Sequence, residues 1–406
     1  VLHHASFPPR DPSLPCKSSC QTMSSVVRNS KFRHVHGSSG NKEVWYENLN
    51  CAPSATPDSN LVACNTKYLA VAWRGGGGPF VVHPMACTGK MSSTPKMFQG
   101  HSGPVQDLDF SPFYDEVIAS VSEDASVKVW NFKDKLTPEA PMAEDVGEEC
   151  ATTLSGHSKK VTLVRWHPTA SHVLVTSSFD NTLRLWDANK GAESFKTATV
   201  PDAIQHISWN YDGSNVAVSS KDKFVRVLDP RTDTVAVEFE AHTGAKGCRV
   251  CYLGTTHMLA TTGFSRQSDR QLFVWDVRGT DKGKAVVEHL VDTASGSLMP
   301  FYDSDVNMLY LAGKGDGNVR YYEIVEGPPY IHYVDQYSGK DPQRGLGMVP
   351  KRGVDTAGTE IAKFMRLCDK HIEPLSFKVP RKSETGNDDL YPPTFSGRPS
   401  LSADEW

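Results

Sequence analysis

The sequence predicts an all-β protein whose short strands form a seven-bladed β-propeller. The first observation is an internal repeat, because two stretches beginning at Gly100 and Gly156 carry His, Pro, Asp and Trp at identical offsets. Four residue types in the same register indicate one structural unit copied along the chain. The matching residues are His101, Pro112, Asp124 and Trp130 in the first copy, and His157, Pro168, Asp180 and Trp186 in the second.

Three further copies are more divergent. An Asp stands six residues before each repeat end, as Asp222 before Leu228, Asp269 before Trp275 and Asp316 before Tyr322, and His242 precedes the second of these. The repeat ends at 130, 186, 228, 275 and 322 are 56, 42, 47 and 47 residues apart. The first interval contains a polar, acidic insertion at 133–150, which predicts a surface loop.

The pattern inside each copy resembles a WD repeat, the blade of a β-propeller. Short runs rich in Val, Ile, Thr and aromatic residues alternate with polar neighbours and end at Ser-Pro, His-Pro or Asp-Gly turns, which predicts four short strands per copy. We expect the Asp to lie in a tight turn, while His, a nearby hydroxyl group and Trp form a buried hydrogen-bonded set. The hydroxyl candidates are Ser120 or Ser122 in the first copy and Ser177 or Ser178 in the second. The predicted structural network comprises His101, Asp124, Trp130, His157, Asp180, Trp186, Asp222, His242, Asp269, Trp275 and Asp316.

Five copies do not close a ring, and the flanking segments supply the remaining blades. Residues 67–84 predict a strand, a four-glycine turn at 75–78 and a second strand. Four downstream runs predict strands of a last blade: Tyr330–Asp335, Gly345–Pro350, Ile361–Cys368 and Pro374–Pro380. A strand near Phe32–Val35 is expected to complete that blade and cover its edge. We therefore divide the chain into a disordered leader or cloning artefact at 1–22, a propeller at 23–380 and a C-terminal extension at 381–406.

Composition excludes several classes of protein. The 406 residues include 43 basic and 47 acidic side chains, whereas a protein that coats nucleic acid is strongly basic. No run approaches the 18 apolar residues of a membrane-spanning helix, and the first residues lack a signal-peptide core. The nine cysteines are scattered and odd in number, which does not suggest a disulfide framework. A cytoplasmic protein is the expectation.

The sequence predicts no enzyme, cofactor or metal. Ser, His and Asp recur together, but they repeat in register with a Trp, whereas an active site occurs once. Cys248 and Cys251 form a single Cys-x-x-Cys pair, which we interpret as small buried residues because structural zinc normally takes four ligands. The glycine-rich segment Gly313–Gly317 lacks the pattern of a phosphate-binding loop, and we interpret it as a hairpin turn.

Segments outside the repeats resemble the coronins, which are propeller proteins that bind actin filaments. They are VVRNSKFRHVHG at 26–37, ASGSLMPFYD at 294–303, YLAGKGDGNVRYYE at 310–323, PQRGL at 342–346, FKVPRKS at 377–383 and DDLYPPTFSGRPSLSADEW at 388–406. The resemblance covers 24–406. It implies a seven-bladed propeller with the C-terminal extension folded back under it, and a role in organising the actin cytoskeleton through filamentous actin.

The chain departs from the family pattern at two points. Short coronins end in a coiled coil, yet no heptads follow Pro380, so we expect this chain to be monomeric. A full-length protein would oligomerise and contact other actin regulators through such a tail. In addition, Asn50 stands where the family often has a basic residue.

Clustered basic residues are the predicted filament contacts, because actin filaments are acidic. Loops on a rigid scaffold commonly hold binding residues. The candidates are Arg28, Lys31, Arg33, Lys159, Lys160, Lys221, Lys223, Arg266 and Arg270, and among them Lys159, Lys160, Lys221 and Lys223 are the leading set. The alternative interpretation is a WD-repeat adaptor that binds a peptide motif or an anionic lipid through one propeller face. Under either interpretation we expect no nucleic-acid partner and no transmembrane segment.

Overall fold

A computed structural model describes residues 29–52, 58–232, 234–278, 283–381 and 387–406. The first strands are β1 (His36–Ser39), β2 (Tyr46–Glu47), β3 (Ala63–Cys64), β4 (Tyr68–Ala72), β5 (Phe80–Pro84), β6 (Gly89–Lys90), β7 (Val105–Phe110), β8 (Val117–Ser122), β9 (Ser126–Asn131), β10 (Ala151–Ser155), β11 (Val161–Trp166), β12 (Val173–Ser178), β13 (Thr182–Asp187) and β14 (Ala192–Thr199). The later strands are β15 (Ile204–Trp209), β16 (Val216–Ser220), β17 (Phe224–Asp229), β18 (Thr234–Glu240), β19 (Arg249–Tyr252), β20 (Met258–Phe264), β21 (Arg270–Asp276), β22 (Val287–Asp292), β23 (Leu298–Asp303), β24 (Met308–Gly313), β25 (Asn318–Ile324), β26 (Ile331–Ser338), β27 (Gly345–Met348), β28 (Glu360–Leu367) and β29 (His371–Lys378). Four short 3-10 helices lie at Lys42–Val44, Glu148–Cys150, Lys351–Gly353 and Asp388–Leu390.

The strands of the described residues form seven sheets, which confirms the seven-bladed propeller. Blade 1 contains β3–β5, and blades 2 to 6 are four-stranded meanders made of β7–β10, β11–β14, β15–β18, β19–β22 and β23–β26. Blade 7 contains β27–β29 together with β1, β2 and β6. The first strand of each blade lies nearest the centre. For example, the backbone N–H of Trp166 on β11 donates to Asp109 on β7 at 2.9 Å.

Ring closure occurs four residues later in the chain than the sequence indicated. Strand β1 pairs antiparallel with β29, and His36 lies opposite Lys378. The predicted strand at 32–35 is instead a turn closed by the bond from Val35 N–H to the Phe32 carbonyl (3.1 Å). Phe32 and Val35 both reach the core of the last blades, and this three-residue spacing suits a turn rather than an alternating strand.

Two other predictions need correction. The predicted strand at Tyr330–Asp335 corresponds to β26, which begins at Ile331 and is the outer strand of blade 6 rather than part of the last blade. The insertion at 133–150 is not simply a surface loop. Its Leu136, Met142 and Val146 pack into the apolar core between blades 1 and 2, so three apolar side chains anchor an otherwise polar segment.

The C-terminal extension packs against the propeller, as the resemblance implied. Its backbone bonds blade 3, where the Ser171 N–H donates to the Leu401 carbonyl at 2.9 Å. Trp406 packs on His167, with ring centroids 4.5 Å apart, and the Arg381 guanidinium pairs with Asp389 at 2.6 Å. In the part of the chain that is described, no helix has the length and hydropathy needed to cross a membrane.

Candidate functional site

The repeated polar residues of blade 2 form a continuous buried chain of hydrogen bonds. The Trp130 indole N–H donates to the Ser120 hydroxyl at 2.8 Å, and that hydroxyl lies 2.7 Å from Nε2 of His101. Nδ1 of His101 lies 3.1 Å from the Asp124 carboxylate. Because a carboxylate only accepts, the imidazole donates from Nδ1 and accepts from Ser120 through Nε2. Each polar group in this series of hydrogen bonds then has a partner.

Blade 3 repeats this geometry with a different hydroxyl group from the one predicted. Trp186 donates to Thr176 at 2.8 Å, Thr176 lies 2.8 Å from His157 Nε2, and His157 Nδ1 lies 2.9 Å from Asp180. Thr176 therefore replaces Ser177 or Ser178. Thr176 stands at the position of Ser120 when the two copies are aligned, so the repeat register could have identified it. Ser178 lies on the same face of β12 two residues later, but its hydroxyl donates to the Lys159 carbonyl at 2.9 Å.

The divergent blades keep parts of the network and substitute others. In blade 5, Thr261 bonds both His242 and Trp275 at 2.9 Å, but the second imidazole nitrogen faces Gln271 at 3.2 Å. Asp269 instead accepts from Ser265, so its predicted place in the network is wrong.

In blades 4 and 6, the turn Asp pairs with an arginine instead of a histidine. In blade 4, Asp222 pairs with Arg226, which also donates to Ser220 at 2.8 Å. In blade 6, Asp316 pairs with Arg270 of the preceding blade at 2.8 Å. A guanidinium has several donors and can satisfy the turn carboxylate where no His is available.

The pKa values and the burial of these hydrogen-bonded residues are those of a structural network rather than of a catalytic site. Burial alone would raise the pKa of Asp180, but hydrogen bonds from Thr182 and His157 outweigh it and lower that pKa to about 2. The same balance, with His101 and Ser126 as donors, holds the pKa of Asp124 well below its usual range. Ser120 and Thr176 are 0% exposed, so their hydroxyl groups cannot contact a substrate.

The other motifs also have local structural roles. Burial raises the pKa of both the Cys248 and Cys251 thiols to about 12, which disfavours the thiolate that metals and electrophiles need. Among the described residues, no group of three or more His, Cys, Asp or Glu side chains is arranged to hold a metal ion. Gly313–Gly317 connects β24 to β25, and Gly315 has a φ of +85°, which fits a hairpin turn.

The basic residues that follow the repeat motifs gather on one face of the propeller. We call the face that carries the turns between second and third strands the top face, and the opposite one the bottom face. Backbone bonds such as Phe179 N–H to the Lys160 carbonyl (3.0 Å) and Lys221 N–H to the Ala203 carbonyl (2.9 Å) join each turn to the start of a first strand. Lys159, Lys160, Lys221, Lys223 and Arg266 therefore all lie on the top face, on three consecutive blades.

Local contacts hold some of these cations while leaving others in solvent. The Lys160 ammonium lies 4.2 Å from the ring centroid of Phe179, which is itself 41% exposed. Lys223 donates to the Thr243 carbonyl at 2.9 Å. Lys159 and Lys221 are exposed, and no ion pair joins either to a described carboxylate.

Two of the predicted residues lie elsewhere. Lys31 and Arg33 are at the bottom face, because β1 starts there opposite the end of β29, and the Lys31 ammonium bonds the backbone carbonyl of Asp389. Strands of about six residues separate the two faces by about 20 Å, so one flat partner surface cannot contact both. Arg28 lies outside the described residues.

Arg270 is a correction to the predicted contact set. It is 1% exposed, and its guanidinium pairs with Asp292 at 2.6 Å and with Asp316 at 2.8 Å. Its position directly after the blade 5 turn makes it the first residue of β21, whose side chain points between blades 5 and 6. It is therefore not available to a partner.

Sequence reasoning also missed two basic groups near the top face. Lys246 is exposed on blade 5, with its ammonium 4.6 Å from the Phe264 ring, and its position four residues after His242 could have revealed it. Lys314 lies at the top face, directly after β24, and donates to the Ser59 carbonyl at 2.9 Å. Burial, assisted by Arg249, lowers the pKa of Lys314 to about 7, and no sequence pattern indicated this.

Comparisons with known proteins agree with these features. Family models match residues 25–90 as a domain of unknown function, residues 92–131, 148–187 and 194–229 as WD domain G-beta repeats, and residues 372–406 as a type of WD40 repeat. The chain is 44% identical to a coronin-like protein of Schizosaccharomyces pombe over 94% of this chain and 62% of that protein. It is 41% identical to a coronin-like protein of Saccharomyces cerevisiae over 94% of this chain and 58% of that one.

A further relative and a solved structure are matched over more of their length. Coronin-A of Dictyostelium discoideum is 42% identical over 95% of this chain and 84% of that protein. The crystal structure of the WD40 domain from Toxoplasma gondii coronin superposes with a TM-score of 0.84 at 30% identity, covering 92% of this chain and 94% of that domain.

Proposed function

The chain belongs to the coronin family, and from that premise we propose that it is a non-catalytic protein that binds actin filaments through its top face. The observation that carries this proposal is the row of cations on blades 3 to 5. Lys159, Lys160, Lys221, Lys223 and Arg266 share one face of a rigid scaffold, although the whole chain has a net charge of −4. A local concentration of positive charge steers association with an acidic surface.

We place the contact on the top face rather than on the bottom face, because the chain itself already binds groups on the bottom face. The extension crosses the bottom face, and one of the two predicted cations there, Lys31, is bonded to it. On the top face, Lys159 and Lys221 are exposed, and the Phe179 ring beside Lys160 offers apolar contact area. We infer that the protein acts in the cytoplasm, on the actin cytoskeleton.

Matched charge reversals test this assignment by co-sedimentation with filamentous actin at low and physiological salt. The test variant combines Lys159→Glu with Lys221→Glu, and the control combines Lys133→Glu with Lys284→Glu, which are exposed on the bottom face. Both variants change the net charge equally. We expect the top pair to weaken binding at least about fivefold, or about 1 kcal/mol. We expect the control pair to have little effect, and wild-type binding to weaken with salt.

Two results would count against the proposal. Equal losses in both variants would show a general charge effect rather than a top-face contact. Unchanged binding in a folded top-face variant, and in the quadruple reversal of Lys159, Lys160, Lys221 and Lys223, would remove the top face from filament binding.

A further inference from the structure

Blade 1 lacks a complete fourth strand. In blades 2 to 6 the outer strand has five to eight residues. In blade 1 the only described pairing on the outer edge of β5 is a single bridge, in which Phe98 N–H donates to the Phe80 carbonyl at 2.9 Å. The chain that leaves β5 forms β6 instead, and β6 pairs in parallel with β2 in blade 7. The fourth-strand position beyond Phe80 is therefore open.

The hydrogen-bond register leaves one backbone unit of β5 directed to this open edge. Bonds from Trp73 N–H to the Pro79 carbonyl and from Met85 N–H to the Lys67 carbonyl show that the odd-numbered residues of β5 bond β4. Val82 therefore directs its N–H and C=O outward, away from β4. Among the described residues, no backbone group bonds to either. An unpaired strand edge of this kind is a template for an additional strand.

A groove of about 340 Å³ lies along this edge. Clefts that bind ligands typically have volumes of about 300–1,000 Å³. The floor is the β5 segment at 81–83, one wall is the segment at 87–96, and the other is Pro141 with Met142. Val81, Val82, Met91 and Met142 are the apolar residues of its lining, and each is less than 10% exposed.

The described lining of the groove includes two lysines and no Asp or Glu. Lys90 and Lys96 line it and are exposed, and neither forms an ion pair with a carboxylate of the described chain. An occupant that pairs with both would be extended, apolar on the side chain facing Met91 and Met142, and acidic beside the two lysines.

We propose that this groove binds an extended acidic peptide of a partner protein, which completes blade 1 as its fourth strand. The occupant bonds the N–H and C=O of Val82 with its backbone, places an apolar side chain between the walls, and pairs its carboxylates with Lys90 and Lys96. The site lies on the outer rim of the propeller and is independent of the proposed filament contact.

Fluorescence anisotropy with the full chain tests the proposal. The probes are fluorescein-labelled eight-residue peptides that alternate Val, Ile or Thr with Asp or Glu, compared with a panel in which Lys replaces the acidic residues. We expect saturable binding of acidic peptides, at least tenfold weaker in the Lys90→Glu/Lys96→Glu variant. The Lys284→Glu control variant, which is exposed on blade 5, should bind as the wild type does.

A second variant tests the backbone contact. Val82→Pro removes the outward N–H while leaving the β4 bonds intact, and proline is tolerated where an edge strand points its N–H away from the sheet. We expect weaker peptide binding in this variant. Hydrogen exchange in the wild type provides a readout that does not depend on the substitution, because bound peptide should slow exchange within 80–84.

Several outcomes would overturn the proposal. They include no binding by any acidic peptide, equal binding of the Lys-containing panel, and binding that survives the lysine reversals without protection at 80–84. If a chain beginning at residue 29 bound the peptides and the full chain did not, the occupant would be the protein's own first residues. If self-association were lost in the Lys90→Glu/Lys96→Glu variant, the occupant would be a second copy.

Discussion

Removing one buried hydroxyl group from blade 3 should destabilise the protein without leaving a cavity. Thr176 is 0% exposed, and its oxygen lies 2.8 Å from the Trp186 indole nitrogen and 2.8 Å from His157 Nε2. Thr176→Val keeps the side-chain shape but removes the hydroxyl group that bonds both the Trp186 indole N–H and Nε2 of His157. An unsatisfied buried polar group costs about 1–3 kcal/mol, so two should lower the free energy of unfolding by about 2–6 kcal/mol.

Urea unfolding followed by tryptophan fluorescence and circular dichroism measures this loss. The matched control is Thr152→Val, on the exposed side of β10, which should change the free energy by no more than about 0.5 kcal/mol. In the double variant with Trp186→Phe, the indole donor is gone as well, so the hydroxyl loss should cost less than it does alone.

A Thr176→Val protein as stable as its control would refute the reasoning. It would mean that the rings find other partners, or that the network carries no net stability. Ser120→Ala in blade 2 offers an independent repetition, because Ser120 makes the same pair of contacts at 2.7 and 2.8 Å.

Three further predictions concern pH, a buried ion pair and the extension. Burial lowers the pKa of His167 and His242 to about 4, whereas an unfolded histidine has a pKa of about 6.5. The unfolded state therefore takes up protons first as the pH falls below about 6.5. The free energy of unfolding should fall by about 2 kcal/mol for each histidine between pH 7 and pH 5. Urea unfolding at pH 7 and pH 5 measures this, and equal stabilities would contradict it. Arg270→Met should cost about 1–3 kcal/mol, because Asp316 loses its pair with Arg270 while Asp292 keeps its pair with Arg320 at 2.7 Å, yet actin co-sedimentation of the folded variant should not change. Trp406→Ala should speed chymotryptic cleavage after Phe395 and Leu401, and unchanged cleavage would show that the ring does not hold the extension in place.

The sequence predicts the blades best where all four signature residues survive. In blades 2 and 3, His, Asp and Trp stand at constant offsets because each of them makes a particular hydrogen bond. Their positions therefore predict the turn and the two strands that it joins. In blade 5, Gln271 meets the imidazole in place of Asp269. The turn Asp alone could not reveal that exchange, because it still occupies a turn and still accepts hydrogen bonds locally.

Charged residues were harder to place because sequence distance does not say which end of a strand a residue occupies. Lys31 lies at the bottom face only because β1 runs antiparallel to β29, a pairing between residues more than 300 positions apart. Arg270 follows a turn, as Lys223 does, but it is the first residue of a strand, and its side chain points between two blades. Exposure therefore depends on the pleat of that strand, which a list of basic residues does not contain.

The positions of the three surfaces determine how they can act together. The extension lies on the bottom face, the exposed cations Lys159 and Lys221 lie on the top face, and the open edge of β5 lies on the outer rim of blade 1. A filament that docks on the top of blades 3 to 5 leaves the rim of blade 1 uncovered, since these blades are not adjacent to it in the ring. If both proposals hold, a peptide in the blade 1 groove should bind to filament-bound protein with the affinity that it has for free protein. Competition between the two would instead place one of them on a shared surface.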